Sequence, residues 1–327
     1  MATPAGITAA LINPFADVQF NASGDIDNFF QDRKGQHYVP WFNATLAGQG
    51  PWANVRLLDT PGNDSGFHQF WDQSSLLFGG PMSLTQFVCL MSIISNEVRG
   101  DFAPKSEKMG RTGHPGMAYL FDAIAGVKRS YNTISGNQTA FQCFNDDTYV
   151  AAHGDLVLAD RLARTTDARW SGTVYPQPDF PTDSNPAISG FIAQADFMKF
   201  RGRGFIQTTG RSNYAALIEF VQNYGGDNAT ITGFQGNWTD KSPDQVAFET
   251  TNDDWDTLFQ QTDLIVAAEA IRAHNRNSGN YLALSADPVV LDSTGPGSVF
   301  FMGLRISGGQ AYATTFKQRV RAVLAAI

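Results

Sequence analysis

A glutamate at the end of an apolar stripe is the first residue of this sequence that could do acid–base chemistry. Between Leu84 and Ile94 the apolar side chains recur with the spacing of a helix face that packs on a core, and the next step of the stripe is Glu97. A carboxyl in that position is partly desolvated, which raises its pKa and keeps a proton available for a leaving group. The alternative is that Glu97 turns out to solvent or pairs with Arg99.

A second segment, residues 200–214, combines glycines with arginines and hydrogen-bonding side chains in the order FRGRGFIQTTGRSNY. Glycines on both sides of Arg203 permit tight turns of the backbone. The pattern predicts a short extended piece over residues 206–209 and a helix that begins near Ser212. The segment is therefore either a corner lined with polar groups for binding or a purely structural turn.

These segments resemble family 19 of the glycoside hydrolases, which comprises chitinases and phage-type endolysins with a lysozyme-like fold. Residues 201–214 resemble the family's G-R-G-x-I-Q-L-T-G-R-x-N-Y signature. Residues 87–102 resemble its helix ending in an H-E-x-G-G-F type motif, and residues 306–309, with the helix after them, resemble its I-N-G-G and final helix. The resemblance runs over 80–327 in the family's order and leaves out residues 1–78.

The resemblance implies roles for individual residues. It places Glu97 on the catalytic acid and makes Glu107 the best match for the base that activates water, while Thr209 matches a threonine that helps to hold this water. The remaining matches are implied to bind the sugar substrate: Arg201, Arg203, Gln207, Asn213 and Tyr214. Glu107 lies between two lysines and is equally consistent with a solvated loop, and Asp101 is the reserve candidate for the base.

Composition argues against several other classes of protein. A formal charge of −8 is unsuited to binding a phosphate backbone, so no nucleic-acid partner is expected. The longest apolar run, residues 87–94, is far shorter than the roughly 20 residues of a membrane span. The histidines lack metal-binding spacing, and neither a metal nor a cofactor is predicted. Cys89 lies in an apolar helical stretch, which favours a buried free thiol over a disulfide with Cys143.

The N-terminus lacks both parts of a secretion signal, because no Lys or Arg precedes Arg33 and the apolar stretch 7–12 is short. A protein that acts on the cell wall, outside the cytoplasm, would then be delivered by lysis, a phage particle or a secretion apparatus. We interpret the six N-x-S/T sequons as chance in a chain rich in Asn and Thr; they occur at Asn21, Asn43, Asn63, Asn137, Asn228 and Asn237.

The elements that must position these residues are predicted to be mainly α-helical. A capping box, Ser83 to Gln86, predicts the start of the helix that ends at Glu97. Further helices are predicted over residues 117–127, 155–164, 213–223, 263–274 and 311–327, with long loop insertions at 165–185 and 227–254. The resemblance implies a lysozyme-like, two-lobed hydrolase domain over 79–327. Residues 1–78 form a loop-rich N-terminal extension that either braces this domain or binds the wall.

The expected function is therefore hydrolysis of β-1,4 bonds of peptidoglycan by an inverting acid/base mechanism. The G-R-S-N-Y continuation and residues 306–309 resemble wall-lytic members more than plant chitinases, and two cysteines fit poorly with the several disulfides of the plant enzymes. Chitin is the alternative substrate. The alternative from another class is a catalytically inactive wall-binding or structural particle protein.

Overall fold

The structure is a computed structural model that describes residues 14–107, 199–260 and 263–327. Within these residues the chain divides into two compact units, 14–103 with 263–327 (the first unit) and 104–107 with 199–260 (the second unit). Both units are mainly helical, and the strands in the described residues are four short ones that form two antiparallel pairs. No helix of the described ranges has the length and apolar character needed to cross a membrane.

The first unit is built from helices and one strand pair. Its elements up to residue 103 are β1 (Gln19–Phe20), α1 (Ser23–Lys34), α2 (Tyr38–Thr45), a 3₁₀ turn (Gly50–Trp52), α3 (Pro61–Trp71), α4 (Ser74–Phe78), β2 (Met82–Ser83) and α5 (Leu84–Glu97). Its elements after residue 263 are α10 (Ile265–Asn277), α11 (Pro288–Asp292), α12 (Val299–Ser307) and α13 (Gln310–Ala326). β1 pairs with β2, so the start of the described chain is joined to the residues directly before α5.

Helix α5 begins where its capping box predicts. Ser83 Oγ accepts a hydrogen bond from the backbone N–H of Gln86, and Gln86 Oε1 accepts one from the N–H of Ser83 at 2.8 Å. Every residue of the helix from Phe87 to Ser95 is buried, which includes the predicted stripe and the free thiol of Cys89. The helix is thus enclosed on all sides and not along one face alone.

The prediction that the N-terminal segment is loop-rich was wrong from residue 14 onward. Four helices, α1 to α4, occupy this segment, and their aromatic side chains pack around α5. The rings of Tyr38 and Trp71 both lie 4.8 Å, centroid to centroid, from that of Phe87. Short helices that contain Gly and Pro and are packed by aromatic residues carry weak 3.6-residue periodicity, which is why the pattern did not reveal them.

The second unit contains one strand pair and four helices. They are β3 (Lys105–Ser106), β4 (Arg203–Gly204), α6 (Arg211–Gln222), α7 (Ala229–Trp238), α8 (Pro243–Glu249) and α9 (Asn252–Phe259). β3 and β4 run antiparallel with Ser106 opposite Arg203. Helix α6 confirms the helix predicted over 213–223 and begins two residues earlier.

The prediction of a long surface loop over residues 227–254 was wrong, because α7, α8 and the start of α9 occupy this range. Capping boxes open the last two helices: Ser242 with Gln245 before α8, and Thr251 with Asp254 before α9. Asp and Thr are typical of loops, but they are also preferred N-caps of short helices.

The helices predicted near the end of the chain are confirmed. α10 covers Ile265–Asn277 against the predicted 263–274, and α13 covers Gln310–Ala326 against 311–327. The helices predicted over 117–127 and 155–164 and the loop predicted over 165–185 lie outside the described residues.

Candidate functional site

Glu97 is the last residue of α5, in the first unit, and its side chain is half-buried. Burial raises the pKa of its carboxyl, although a hydrogen bond of 3.4 Å from Asn96 Nδ2 to Glu97 Oε1 acts in the opposite direction. The direction expected from the apolar stripe is therefore confirmed. A carboxyl with a raised pKa holds its proton to a higher pH, as a general acid must.

Glu107 directly follows β3, in the second unit, and it pairs with the glycine that precedes β4. The N–H of Glu107 donates to the carbonyl of Gly202 at 2.7 Å, and the N–H of Gly202 donates back to Glu107 Oε2 at 3.3 Å. The strand pairing is thereby extended by one residue, and the half-buried carboxylate is turned onto the backbone of the arginine-rich segment. Glu107 is therefore held against the backbone of Gly202 and is not a fully solvated loop residue.

Three side-chain oxygens converge on the α-carbon of Gly202. A methyl group there would lie 2.9 Å from Gln207 Oε1 and 3.2 Å from both Glu107 Oε2 and Thr209 Oγ1. Any side chain larger than hydrogen would displace at least one of these oxygens, so their close approach to the backbone requires glycine. We call this arrangement the oxygen cluster.

All three members of the oxygen cluster present acceptors to that point. Gln207 commits its Nε2 to the carbonyls of Lys105 at 3.2 Å and Gly204 at 3.0 Å, which leaves Oε1 on the side of Gly202. Thr209 Oγ1 donates its proton to the carbonyl of Gln207 at 2.9 Å. A molecule that binds beside Gly202 and contacts these oxygens must therefore donate hydrogen bonds, and water is the smallest that can donate twice.

The predicted extended piece over residues 206–209 is a tight turn instead. The N–H groups of Arg203 and Thr208 donate to each other's carbonyls at 3.1 and 2.9 Å, so the chain reverses between them. Gly204 and Gln207 both have left-handed backbone angles, with φ of 76° and 52°. For glutamine that region is strained, and it persists because its side chain is fixed by the two carbonyls. Asn213 Nδ2 supports the far side by donating to the carbonyl of Thr209 at 2.7 Å.

Arg203 and Tyr214 lie beneath this turn and are fully buried. Arg203 Nη1 donates to Tyr214 Oη at 3.1 Å, and the tyrosine hydroxyl donates to the carbonyl of Arg201 at 2.7 Å. Both were predicted to line the substrate cleft, and the structure places them in the interior of the second unit. Their polar groups are used to hold the backbone that carries the oxygen cluster.

Asp256, on α9, joins the two arginines to β3. Its carboxylate accepts from Arg203 Nε at 2.7 Å, from Arg201 Nη2 at 3.0 Å and from Ser106 Oγ at 2.6 Å. Burial alone would raise the pKa of Asp256, but the arginines and Ser106 outweigh it and the pKa is lowered. Burial, together with the neighbouring Arg203, lowers the pKa of Arg201 to about 10.

Asp256 was missed by sequence reasoning, which assigned the residues just before it to a loop. The capping box at Thr251 was the available signal, because it sets the start of a helix whose next turn carries Asp256. A second signal was the need of two arginines, Arg201 and Arg203, for a buried counter-ion.

No group of three or more His, Cys, Asp and Glu side chains in the described ranges is arranged to hold a metal ion. Comparison of the chain with models of protein families, with curated proteins and with solved structures finds no significant match. In the second unit the structure brings Glu107, Gln207 and Thr209 together, with Asn213 in support.

Proposed function

We propose that the protein is a glycoside hydrolase of the family 19 type that cleaves β-1,4 bonds of peptidoglycan with inversion at the anomeric carbon. Glu97 is the acid that protonates the leaving oxygen, and Glu107 is the base that removes a proton from the attacking water. The proposal includes the lysozyme-like, two-lobed architecture for residues 79–327, and it requires no cofactor.

The oxygen cluster is the observation that carries this proposal. A water molecule that donates its hydrogens to these acceptors has a lone pair left for attack on carbon, and one of its protons is directed to the carboxylate of Glu107. Thr209 and Gln207 then orient the water, and Gly202, which has no Cβ, lets the three oxygens approach the backbone closely. The raised pKa of Glu97 supports the complementary role, since a carboxyl that keeps its proton to a higher pH can give it to the leaving oxygen.

The substrate-binding residues divide into two groups under this proposal. Gln207 and Asn213 are half-buried at the turn and remain candidates for contact with the sugar. Arg203 and Tyr214, which are fully buried, act by positioning the turn, and Arg201 joins them through Asp256. The segment then contributes through its rigidity as much as through contact with substrate.

Residues 14–78 act as a brace in this proposal. Their three tryptophans are buried at 0–4% exposure, so none of them offers a flat face to a sugar ring. The alternative hypothesis, that exposed aromatic residues of this segment bind the wall independently, has no support from these side chains.

Digestion of purified cell walls tests the proposal directly. We expect the wild type to clear a suspension of peptidoglycan, to release new reducing ends, and to give fresh products with inverted anomeric configuration in proton NMR spectra. Retained configuration would contradict the assigned mechanism. A preparation that binds walls without releasing reducing ends would indicate the inactive binding protein, and activity on chitin alone would indicate the chitinase.

The Gly202→Ala variant tests the oxygen cluster. We expect it to lose about tenfold or more in turnover, because an added methyl group displaces oxygens that position the water. Gly225→Ala is the matched control in the same unit, since a Cβ at Gly225 meets no atom within 4 Å. Equal activities of the two variants would show that the oxygen cluster has no role in the reaction.

A further inference from the structure

The end of α5 is followed by a backbone conformation that needs outside support. Val98 closes the helix by donating its N–H to the carbonyl of Ile94 at 2.9 Å. Arg99 and Gly100 then both take left-handed angles, with φ of 58° and 80°. A left-handed arginine is unfavourable in isolation and persists only where its surroundings hold it, and the last turn of a helix frays readily.

That support comes from the N-terminal segment. The N–H of Leu58 donates to the carbonyl of Gly100 at 3.0 Å. Asn63, on α3, is buried and uses both ends of its amide: Nδ2 donates to the carbonyl of Leu58 at 2.6 Å, and Oδ1 accepts from the N–H of Phe102. One side chain thus links the segment before α3 with the segment after Glu97.

Two glycines allow these backbones to come close together. A Cβ on Gly66 of α3 would lie 2.2 Å from the carbonyl oxygen of Phe102, and a Cβ on Gly100 would lie 2.2 Å from that of Arg56. Neither distance is possible for a real side chain, so any substitution forces residues 100–102 to move. Gly62, one turn earlier in α3, meets nothing within 4 Å.

Asn43 has similar chemistry but makes no direct hydrogen bond to the residues that follow Glu97. Its Nδ2 donates to the carbonyl of Leu57 at 2.8 Å, and its Oδ1 accepts from the N–H of Leu57 at 3.0 Å. It therefore holds the same segment, 56–58, against α2. No hydrogen bond of Asn43 reaches residues 98–102 in the described part of the chain.

We propose that Asn63 and Gly66 are positioning residues for Glu97. By fixing residues 98–102 they hold the last turn of α5, and with it the carboxyl of Glu97, in its half-buried setting. The role of these residues in catalysis rests on the proposed function, whereas their effect on the setting of Glu97 does not. The N-terminal segment, which lies outside the family resemblance, thereby helps to position the proposed catalytic acid.

Two measurements on Asn63→Ala in the full chain test this proposal. The first is the titration of Glu97, followed by NMR of protein labelled with ¹³C at the glutamate carboxyls. The chain has only five glutamates, and the signal missing from the spectrum of Glu97→Gln is that of Glu97. We expect the midpoint to fall by about half a pH unit or more toward the ordinary value, because water reaches the carboxyl. The second is wall hydrolysis, for which we expect kcat to fall about tenfold with KM within about twofold.

Asn43→Ala and Gly62→Ala are the controls, and Gly66→Ala is the second test variant. We expect Gly66→Ala to reproduce both changes and the two controls to show neither, even if Asn43→Ala lowers Tm as much as Asn63→Ala. An unchanged Glu97 midpoint in both test variants, or an equal shift in Asn43→Ala, would overturn the proposal. If the midpoint shifts as expected but the wild type does not hydrolyse walls, the proposed function fails and the positioning role stands.

Discussion

The two carboxyl groups of the proposed mechanism are held by different means in the two units. Glu97 ends a helix enclosed by apolar and aromatic side chains, and its pKa is raised because water is excluded. Glu107 follows a short strand and is held by paired backbone groups above a buried network of two arginines and Asp256. One setting depends on the exclusion of water, the other on hydrogen bonds and charge pairs.

This difference determines how each setting fails. Apolar burial is non-directional and is shared among many side chains, so the burial of helix α5 is sensitive mainly to loss of the whole covering layer, and single contacts matter where Asn63 and Gly66 meet the residues after Glu97. A network of hydrogen bonds and charges is directional, so the setting of Glu107 is sensitive to single substitutions that leave a buried partner without its counterpart. The following predictions separate the two cases.

Removal of the covering helices has the largest expected effect. A chain truncated to begin at Gly79 should be insoluble or markedly destabilised, because the aromatic rings that surround Phe87 are lost and a large apolar face is exposed. Solubility and thermal unfolding of the truncated chain are the measurements. A soluble, fully active chain that no longer binds walls would instead make residues 1–78 an independent binding module.

Glu97→Gln should abolish wall lysis and leave Tm unchanged or higher. The amide cannot donate a catalytic proton, which is a loss of about 10²- to 10⁴-fold, but it is easier to bury than a carboxylate. Turbidity clearing and thermal unfolding of the same preparation check both parts. Activity above about a tenth of wild type would rule out Glu97 as the general acid, since a loss of less than about tenfold lies well below the roughly 10²-fold lower end for general-acid catalysis.

Glu107→Gln should also be severely impaired, by about 10²-fold or more, because an amide cannot accept the proton of the attacking water. Asp101→Asn is the matched comparison and should retain substantial activity. The measurement is the initial rate of reducing-end release by the two variants. If Asp101→Asn is inactive and Glu107→Gln is active, the base has been assigned to the wrong residue.

Asp256→Asn should lower the free energy of unfolding by about 2–4 kcal/mol at pH 7, because two arginines lose their shared counter-ion in a site where the aspartate side chain is 25% exposed. The pKa of Asp256 is lowered in the folded protein, so its contribution is complete above the unfolded pKa of about 4 and is lost as pH falls further. Denaturant unfolding of wild type and variant should therefore give curves that converge in acid. A difference that is constant from pH 7 to pH 3 would show that charge is not the cause.

The sequence predicted the elements whose signals are local. The capping box at Ser83 set the start of α5, and its apolar spacing predicted both the burial of the helix and the raised pKa at Glu97. The helices of residues 14–78 and the helices within 227–254 were not predicted. Their stability comes from aromatic packing and N-caps, and a composition of Asn, Thr, Gly and Pro is shared by such helices and by loops.

The candidate site was predictable in its residue types and not in its arrangement. The pattern of residues 201–214 identified Gln207 and Thr209 as site residues. It also implied that Arg203 and Tyr214 bind the substrate, although both are fully buried. Asp256 carries no motif, and it is recognised only because α9 brings its carboxylate to both arginines.

What the sequence alone determined was the chemistry available: a carboxyl at the end of an apolar helix, and a glycine-containing segment that carries Gln207 and Thr209. Both follow from near neighbours in the chain, where spacing fixes geometry. Only the tertiary structure decided which distant groups share a location, such as Glu107 with Gly202, and Asn63 with Phe102. Those pairings depend on the packing of whole elements, and no local pattern contains them.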